Sequence, residues 1–326
     1  MTLLHLTPLA LSRSRFALSP LAETLGAMTV LRGDCPDPWA ARWHARHHSA
    51  FQALLDADPF AKGLVGLVSS TKWLPGFVCV PPSGGMLTVL ADELAELPRV
   101  PDHVVRSELE DSLAHSWEQH DLGWLTGRDW GVRIARLFES VWRSHVAPDW
   151  PRRRALLERD VTYRAGLLAA YGWPRALERM NRHSAWVGAD AIRFSHQSFP
   201  DRVVGEEGML FVPVSLARGT WLCEAEPDRY ALVYPARGAA TGSGQPRPDG
   251  ALERLIGSGR AAILWELRRP ATSSELAAQL DCSLGTVGGH LAVLREADLV
   301  VGTRVGRRVV YRRTGTGDLL AGPRGA

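Results

Sequence analysis

Between Arg260 and Arg313 the apolar residues recur at helical spacing three times and then at strand spacing, a succession that few folds accommodate. Ile263, Leu264 and Leu267 mark one face of a first short helix, which Pro270 ends. Thr272-Ser273-Ser274-Glu275 reads as a capping box. Its threonine hydroxyl accepts from the third-position amide while the glutamate reaches back, so a second helix over 273–280 buries Leu276, Ala277 and Leu280. After a turn at Asp281-Cys282, Ser283 caps a third helix whose buried stripe is Leu284, Val287, Leu291 and Leu294. Two β-runs follow, 299–304 and 308–312, joined by Val305-Gly306-Arg307.

Helix, helix, turn, helix, hairpin is the order of a winged helix-turn-helix. Such a unit reads duplex DNA because its second motif helix fits the major groove, where base edges present distinguishable donors and acceptors. The pattern places Ser283, Thr286, Gly288, Gly289 and His290 toward base edges and nearby phosphates. The hairpin arginines Arg304, Arg307, Arg308, Arg312 and Arg313, with no acidic residue between 299 and 313, suit phosphate contacts. Arg295 either contacts the DNA backbone or pairs with Glu296 or Asp298. All but two of the 38 basic residues are arginine, so arginine abundance alone carries no functional information; its location does. Ten arginines against six acids between 251 and 315 exceed the whole chain's net charge of +3, which concentrates the positive excess in this segment.

The stretch RAAILWELRRPATSSELAAQLDCSLGTVGGHLAVLREADLVVGTRVGRRVVYRRT resembles the ArsR-type winged-helix repressors of bacteria. Its most specific portion is HLAVLREADLV, residues 290–300, followed by the Gly-Arg-Arg-x-x-Tyr hairpin. The resemblance implies a dimeric DNA-binding regulator. Metal-sensing members carry paired cysteines at the start of the second helix, where this chain has Thr272, Ser273 and Ser274, so the resemblance implies no metal site here. The segments RFALSPLAE (15–23), HVAPDWPRRRALLERDVTYRAGLLA (145–169) and YALVYPARG (230–238) resemble an uncharacterised bacterial domain found ahead of such winged helices.

Residues 239–250, AATGSGQPRPDG, contain no apolar residue larger than alanine and read as a linker. Ahead of it the chain is mostly helical to about residue 180. A helix starts at Ser19-Pro20, and others run over 38–56, 86–97, 102–119, 129–146 and 151–170. In the fourth of these, Ile134, Leu137, Phe138, Val141 and Trp142 recur on one face. From 184 the texture changes to β-runs, SAWVG, AIRFSH, GMLFVPVSL, GTWLCEA and YALVYPA, expected to form a small antiparallel sheet.

Trp117, Trp124, Trp130, Trp142 and Trp150 crowd one stretch, enough to line an apolar ligand pocket or to pack an ordinary core. His44, His47 and His48 share a helix face, a spacing that serves either a metal or a polar surface, and the surface is the simpler reading. Cys35, Cys79, Cys223 and Cys282 are far apart with no Cys-x-x-Cys pair, which fits free thiols in a reducing compartment. A phosphate loop, a Gly-x-Ser-x-Gly elbow, a His-Glu-x-x-His helix and a dinucleotide fingerprint are all absent, which argues against an enzyme. The amino-terminal stretch places its arginines after the apolar residues, unlike a signal peptide, and no apolar run is long enough to span a membrane.

The expectation is an α+β chain. Residues 1–238 form a sensing or dimerisation domain, 239–249 a linker, 250–315 the winged helix-turn-helix and 316–326 a flexible tail. The function expected is a cytoplasmic, homodimeric DNA-binding repressor with no cofactor or metal, no membrane association, and room for a small-molecule effector. Two rivals stay open: a protein-interaction adaptor whose winged helix has lost DNA binding, and an uncharacterised enzyme domain fused to it.

Overall fold

The structure, a computed structural model, describes residues 2–33, 38–71, 73–178, 180, 185–188, 190–195, 201–216, 220–225, 228–237, 251–267, 270–280, 282–305 and 308–321. It divides into two compact units, Met1–Asp149 with Asp160–Gly242, and Trp150–Arg159 with Ser243–Ala326. The later boundary falls in the expected linker, whose residues lie outside the described ones. The segment Trp150–Arg159 groups with the C-terminal unit, unlike the sequence division, which kept all of 1–238 together. Composition does not mark this break because the segment begins one uninterrupted helix.

The first unit opens on β1 (Thr2–Leu6), α1 (Pro8–Arg13) and β2 (Arg15–Phe16). Helices α2 (Pro20–Arg32), α3 (Pro38–Ala57), α4 (Pro59–Val68), α5 (Leu90–Leu94), α6 (Asp102–Ala114), α7 (Trp130–Val141), α8 (Trp150–Tyr171) and α9 (Trp173–Leu177) follow. Strands β3 (Ala185–Val187), β4 (Ala191–Ser195), β5 (Arg202–Val204), β6 (Met209–Val214), β7 (Trp221–Ala225) and β8 (Arg229–Pro235) complete it.

The expected small antiparallel sheet is corrected to two mixed four-stranded sheets, ordered β3-β4-β1-β5 and β2-β6-β8-β7. In the first, β1 runs antiparallel to β4 and parallel to β5. In the second, β6 is parallel to both β2 and β8, while β7 is antiparallel to β8. Both sheets therefore recruit strands from the first sixteen residues. A run as short as Thr2–Leu6 does not declare itself from periodicity, but in the fold Leu4 and Leu6 are buried and alternate with half-buried Leu3 and His5.

Helix α2 is buried nearly all round, as its apolar sequence requires of a central helix. Ser19 caps it by accepting the Ala22 N–H at 2.9 Å, with Pro20 in the first turn as the sequence indicates. The Asp58 carboxylate accepts from the Phe60 N–H at 3.0 Å and starts α4, a helix absent from the sequence reading. The expected helix over 86–97 is broken into α5 and two 3₁₀ turns, Gly85–Leu87 and Leu97–Arg99. That over 129–146 ends as α7 and passes into a π-turn over Trp142–Val146. In the part of α8 that belongs to this unit, Asp160 and Arg164 form a fully buried pair at 2.9 Å. The Tyr234 hydroxyl (2.8 Å) and the Arg237 N–H (3.0 Å) also donate to Asp160, which offsets the cost of removing its charge from water.

The second unit contains α10 (Ala251–Ile256), α11 (Ser258–Glu266), β9 (Ala271–Thr272), α12 (Ser273–Leu280), α13 (Leu284–Glu296), β10 (Val300–Val305), β11 (Arg308–Arg313) and α14 (Gly315–Ala321). Its core joins Ile263, Leu264, Leu276, Val287, Leu291, Leu294 and Val300. The three strands order as β10-β11-β9, so the hairpin is tied back to the residue that opens α12 through the Val310–Thr272 register. Residues 316–321, expected as flexible tail, are helical. Gly317 lies where a Cβ would meet the Leu299 carbonyl oxygen at 2.1 Å, a closeness that only glycine permits.

Candidate nucleic-acid interface

The capping box forms as the residue types dictate. Glu275 Oε2 accepts from the Thr272 N–H at 2.6 Å, and Thr272 Oγ1 accepts from the Glu275 N–H at 3.3 Å. One turn later Ser283 Oγ accepts from the Thr286 N–H at 3.1 Å and lies 2.8 Å from the Thr286 hydroxyl. These caps set where α12 and α13 begin, and burial of Val287, Leu291 and Leu294 sets which face of α13 turns outward.

Ser283, Thr286, Gly288 and Gly289 are exposed on that outward side, and neither Gly288 nor Gly289 has any atom within 4 Å of where a Cβ would stand. His290 is only half-exposed. Its ring lies over Gly259 of α11, where a Cβ would come within 2.7 Å of Nε2, so it packs the unit together rather than standing free. Leu284, assigned to the buried stripe, is instead 55% exposed because it sits at the first position of α13, before the helix meets its neighbours. Cys282 is exposed in the turn and directs its thiol at the Leu280 carbonyl, 3.3 Å away.

On the hairpin, Arg304 pairs in register with Val309 and Arg312 with Val301. Side chains alternate along a strand, so the two exposed arginines project to opposite faces of the ribbon. Arg313 is removed from the phosphate-contact set. It is 3% exposed, donates to the Leu264 and Trp265 carbonyls and faces Asp318 of α14 at 3.7 Å, so its charge is spent on holding α11, the hairpin and α14 together. Arg295 is exposed, and among the described residues no ion pair links it to Glu296 or Asp298. Arg307 and the side chain of Arg308 lie outside the described residues.

The five tryptophans occupy unlike environments. Trp130 is packed in the main core and donates from Nε1 to the Thr126 carbonyl at 3.1 Å; Trp124 meets Phe60 edge-on; Trp142 is half-buried in the π-turn; Trp117 is 60% exposed. Trp150 belongs to the other unit. The histidines on α3 have separate partners: His44 the Gly33 carbonyl (2.8 Å), His48 the Leu31 carbonyl (2.9 Å) and His47 the Nδ1 of His145 (3.1 Å). Burial, and then the neighbouring His47, lowers the pKa of His145. Among the described residues no group of three or more His, Cys, Asp and Glu side chains is placed to hold a metal ion, and no helix is long and apolar enough to cross a membrane. Ser70 Oγ lies 2.6 Å from His120 Nε2, a juxtaposition invisible in sequence, but the serine is fully buried and donates to the Gly66 carbonyl.

Two capped helices joined by a tight turn, with one outward helix face beside a hairpin, define a helix-turn-helix domain. A family model described as a helix-turn-helix domain matches residues 260–303, from within α11 into β10, which supports a C-terminal helix-turn-helix regulator. No curated protein and no solved structure matches the chain.

Proposed function

We propose that this chain is a cytoplasmic transcriptional repressor whose C-terminal unit binds duplex DNA as an ArsR-type winged helix-turn-helix, and whose N-terminal unit senses a non-metal signal or builds a homodimer. The observation that carries this reading is the exposed amino-terminal half of α13, with Ser283 and Thr286 outward, in the same unit as a hairpin bearing exposed Arg304 and Arg312. A dimer follows from the economy of recognition, because two motif helices spaced about 34 Å apart read a palindrome whereas one contacts too few bases.

The reading is tested by fluorescence anisotropy on mixed-sequence duplexes across a salt series. Each phosphate neutralised by an arginine adds about 0.9 to the slope of log affinity against log salt. Arg312→Ala, on the face of the ribbon opposite the buried Arg313, should weaken binding to every duplex and flatten that slope by about one unit. A parent chain without salt-dependent DNA affinity overturns the proposal; where the affinity is found, genome-wide mapping of bound sites identifies the operator.

A second reading has one observation in its favour. The outward face of α13 includes Gly285, Gly288, Gly289 and Ala292, all exposed and none able to hydrogen-bond a base edge through its side chain, which suits close packing by another protein. In that case the chain is an adaptor and DNA affinity is absent.

A further inference from the structure

Among the described residues, Cys79 and Cys223 of the first unit, separated by most of its sequence, lie in the same core. Cys79 follows the one-turn 3₁₀ helix Gly76–Val78, and Cys223 lies at the centre of β7, the outermost strand of its sheet. Both are 3% exposed, both are free thiols, and both belong to the same apolar cluster. The 3₁₀ turn that precedes Cys79 packs against β7, and the Cys79 thiol stands beside that of Cys223, close enough to influence its ionisation. Two neighbouring thiols on a one-turn helix and an edge strand can be brought to bonding geometry by a local adjustment of the backbone.

We propose that Cys79 and Cys223 form a reversible disulfide when the protein meets a hydroperoxide, making this pair an oxidative modification site in the N-terminal unit. The step balances with hydrogen peroxide as the oxidant. One cysteine sulfur attacks a peroxide oxygen, the O–O bond breaks, and water leaves a sulfenic acid behind. The second sulfur attacks the sulfenic sulfur, the S–O bond breaks and a second water departs. Two thiols are oxidised by two electrons and one peroxide is reduced to two waters. The neighbouring Cys79 thiol, and then burial, raise the Cys223 thiol pKa, which slows the first attack. Hydrogen peroxide is scarcely larger than water, so the local openings that any fold samples are enough to admit it to a buried thiol. A thiol-reducing compartment returns the pair to dithiol, so the bond is a transient mark rather than a structural staple.

The test uses the full-length Cys282→Ser chain, which removes the exposed thiol that would otherwise compete. It is treated with hydrogen peroxide under native conditions, then denatured, alkylated and mapped by peptide mass spectrometry. The expected result is a peptide containing Cys79 joined to one containing Cys223, an intact mass lower by two hydrogens, and recovery of both thiols with dithiothreitol. The proposal is overturned if both cysteines are recovered as alkylated free thiols, as separate sulfinic or sulfonic acids, or bridged to Cys35. A parallel sample oxidised after denaturation shows what non-specific pairing looks like, and a native sample with the same pairing pattern as that control also overturns it.

Discussion

Glu93 places a carboxyl inside the first unit, 6% exposed, where it accepts the Leu21 N–H at 2.8 Å and the Ser19 hydroxyl at the start of α2. Burial pushes its pKa up to about 7 against those hydrogen bonds, from 4.5 for an exposed group. The folded state therefore holds its proton more tightly than the unfolded chain. Its contribution to stability is complete below pH 4.5 and is lost as pH rises through about 7, to the extent of about 3 kcal/mol. Glu93→Gln keeps an acceptor for Leu21 and removes the titration. Urea unfolding at pH 5 and pH 8 should show the parent losing stability relative to the variant by that amount, and a constant difference between the two proteins would refute the assignment. Single residues also show where sequence reading stops. Arg313 and Arg312 are adjacent and chemically identical, yet strand alternation buries the first against two carbonyls and leaves the second in solvent.

At the level of elements, α13 carries two glycines in its interior, each costing about 1 kcal/mol relative to alanine. Because no atom lies within 4 Å of either added Cβ, Gly288→Ala with Gly289→Ala should stabilise the second unit by about 2 kcal/mol in thermal unfolding. If the bare face lets the backbone approach DNA, the same variant should lose affinity for duplex DNA because two methyl groups enter the interface. Unchanged or tighter binding would remove close approach from the account. Helix α14 gives the opposite case. Gly317 packs onto the Leu299 carbonyl, so Gly317→Val should undock α14, release Asp318 from Arg313 and lower the melting temperature of the unit. Hydrogen exchange confined to 315–321 is the measurement that locates the damage, and an unchanged exchange pattern there would show that α14 contributes nothing to the unit.

Across the whole molecule, much of the second unit was legible in the chain itself. Capping pairs and 3.6-residue stripes are local, and Thr272, Glu275, Ser283, Val287 and Leu291 take the roles their spacing announces. The strands β3, β4, β6, β7 and β8 and the start of α2 were readable for the same reason: each is signalled within a few residues of itself. Strand partners were not, because parallel pairing of β1 with β5 and of β2 with β6 joins residues nearly two hundred positions apart, and no local pattern records such a choice. Nor were the burial of Arg313, the exposure of Leu284 and the meeting of Cys79 with Cys223, each of which depends on what a distant segment brings alongside. The sequence by itself determined the capped helices of the second unit, the start of α2 and most of the later strands, since those follow from hydrogen bonds and periodicities closed within a few residues. Only the tertiary structure decided which side chains are left for a partner and which are used up inside, since that is settled by contacts between surfaces that the chain order keeps apart.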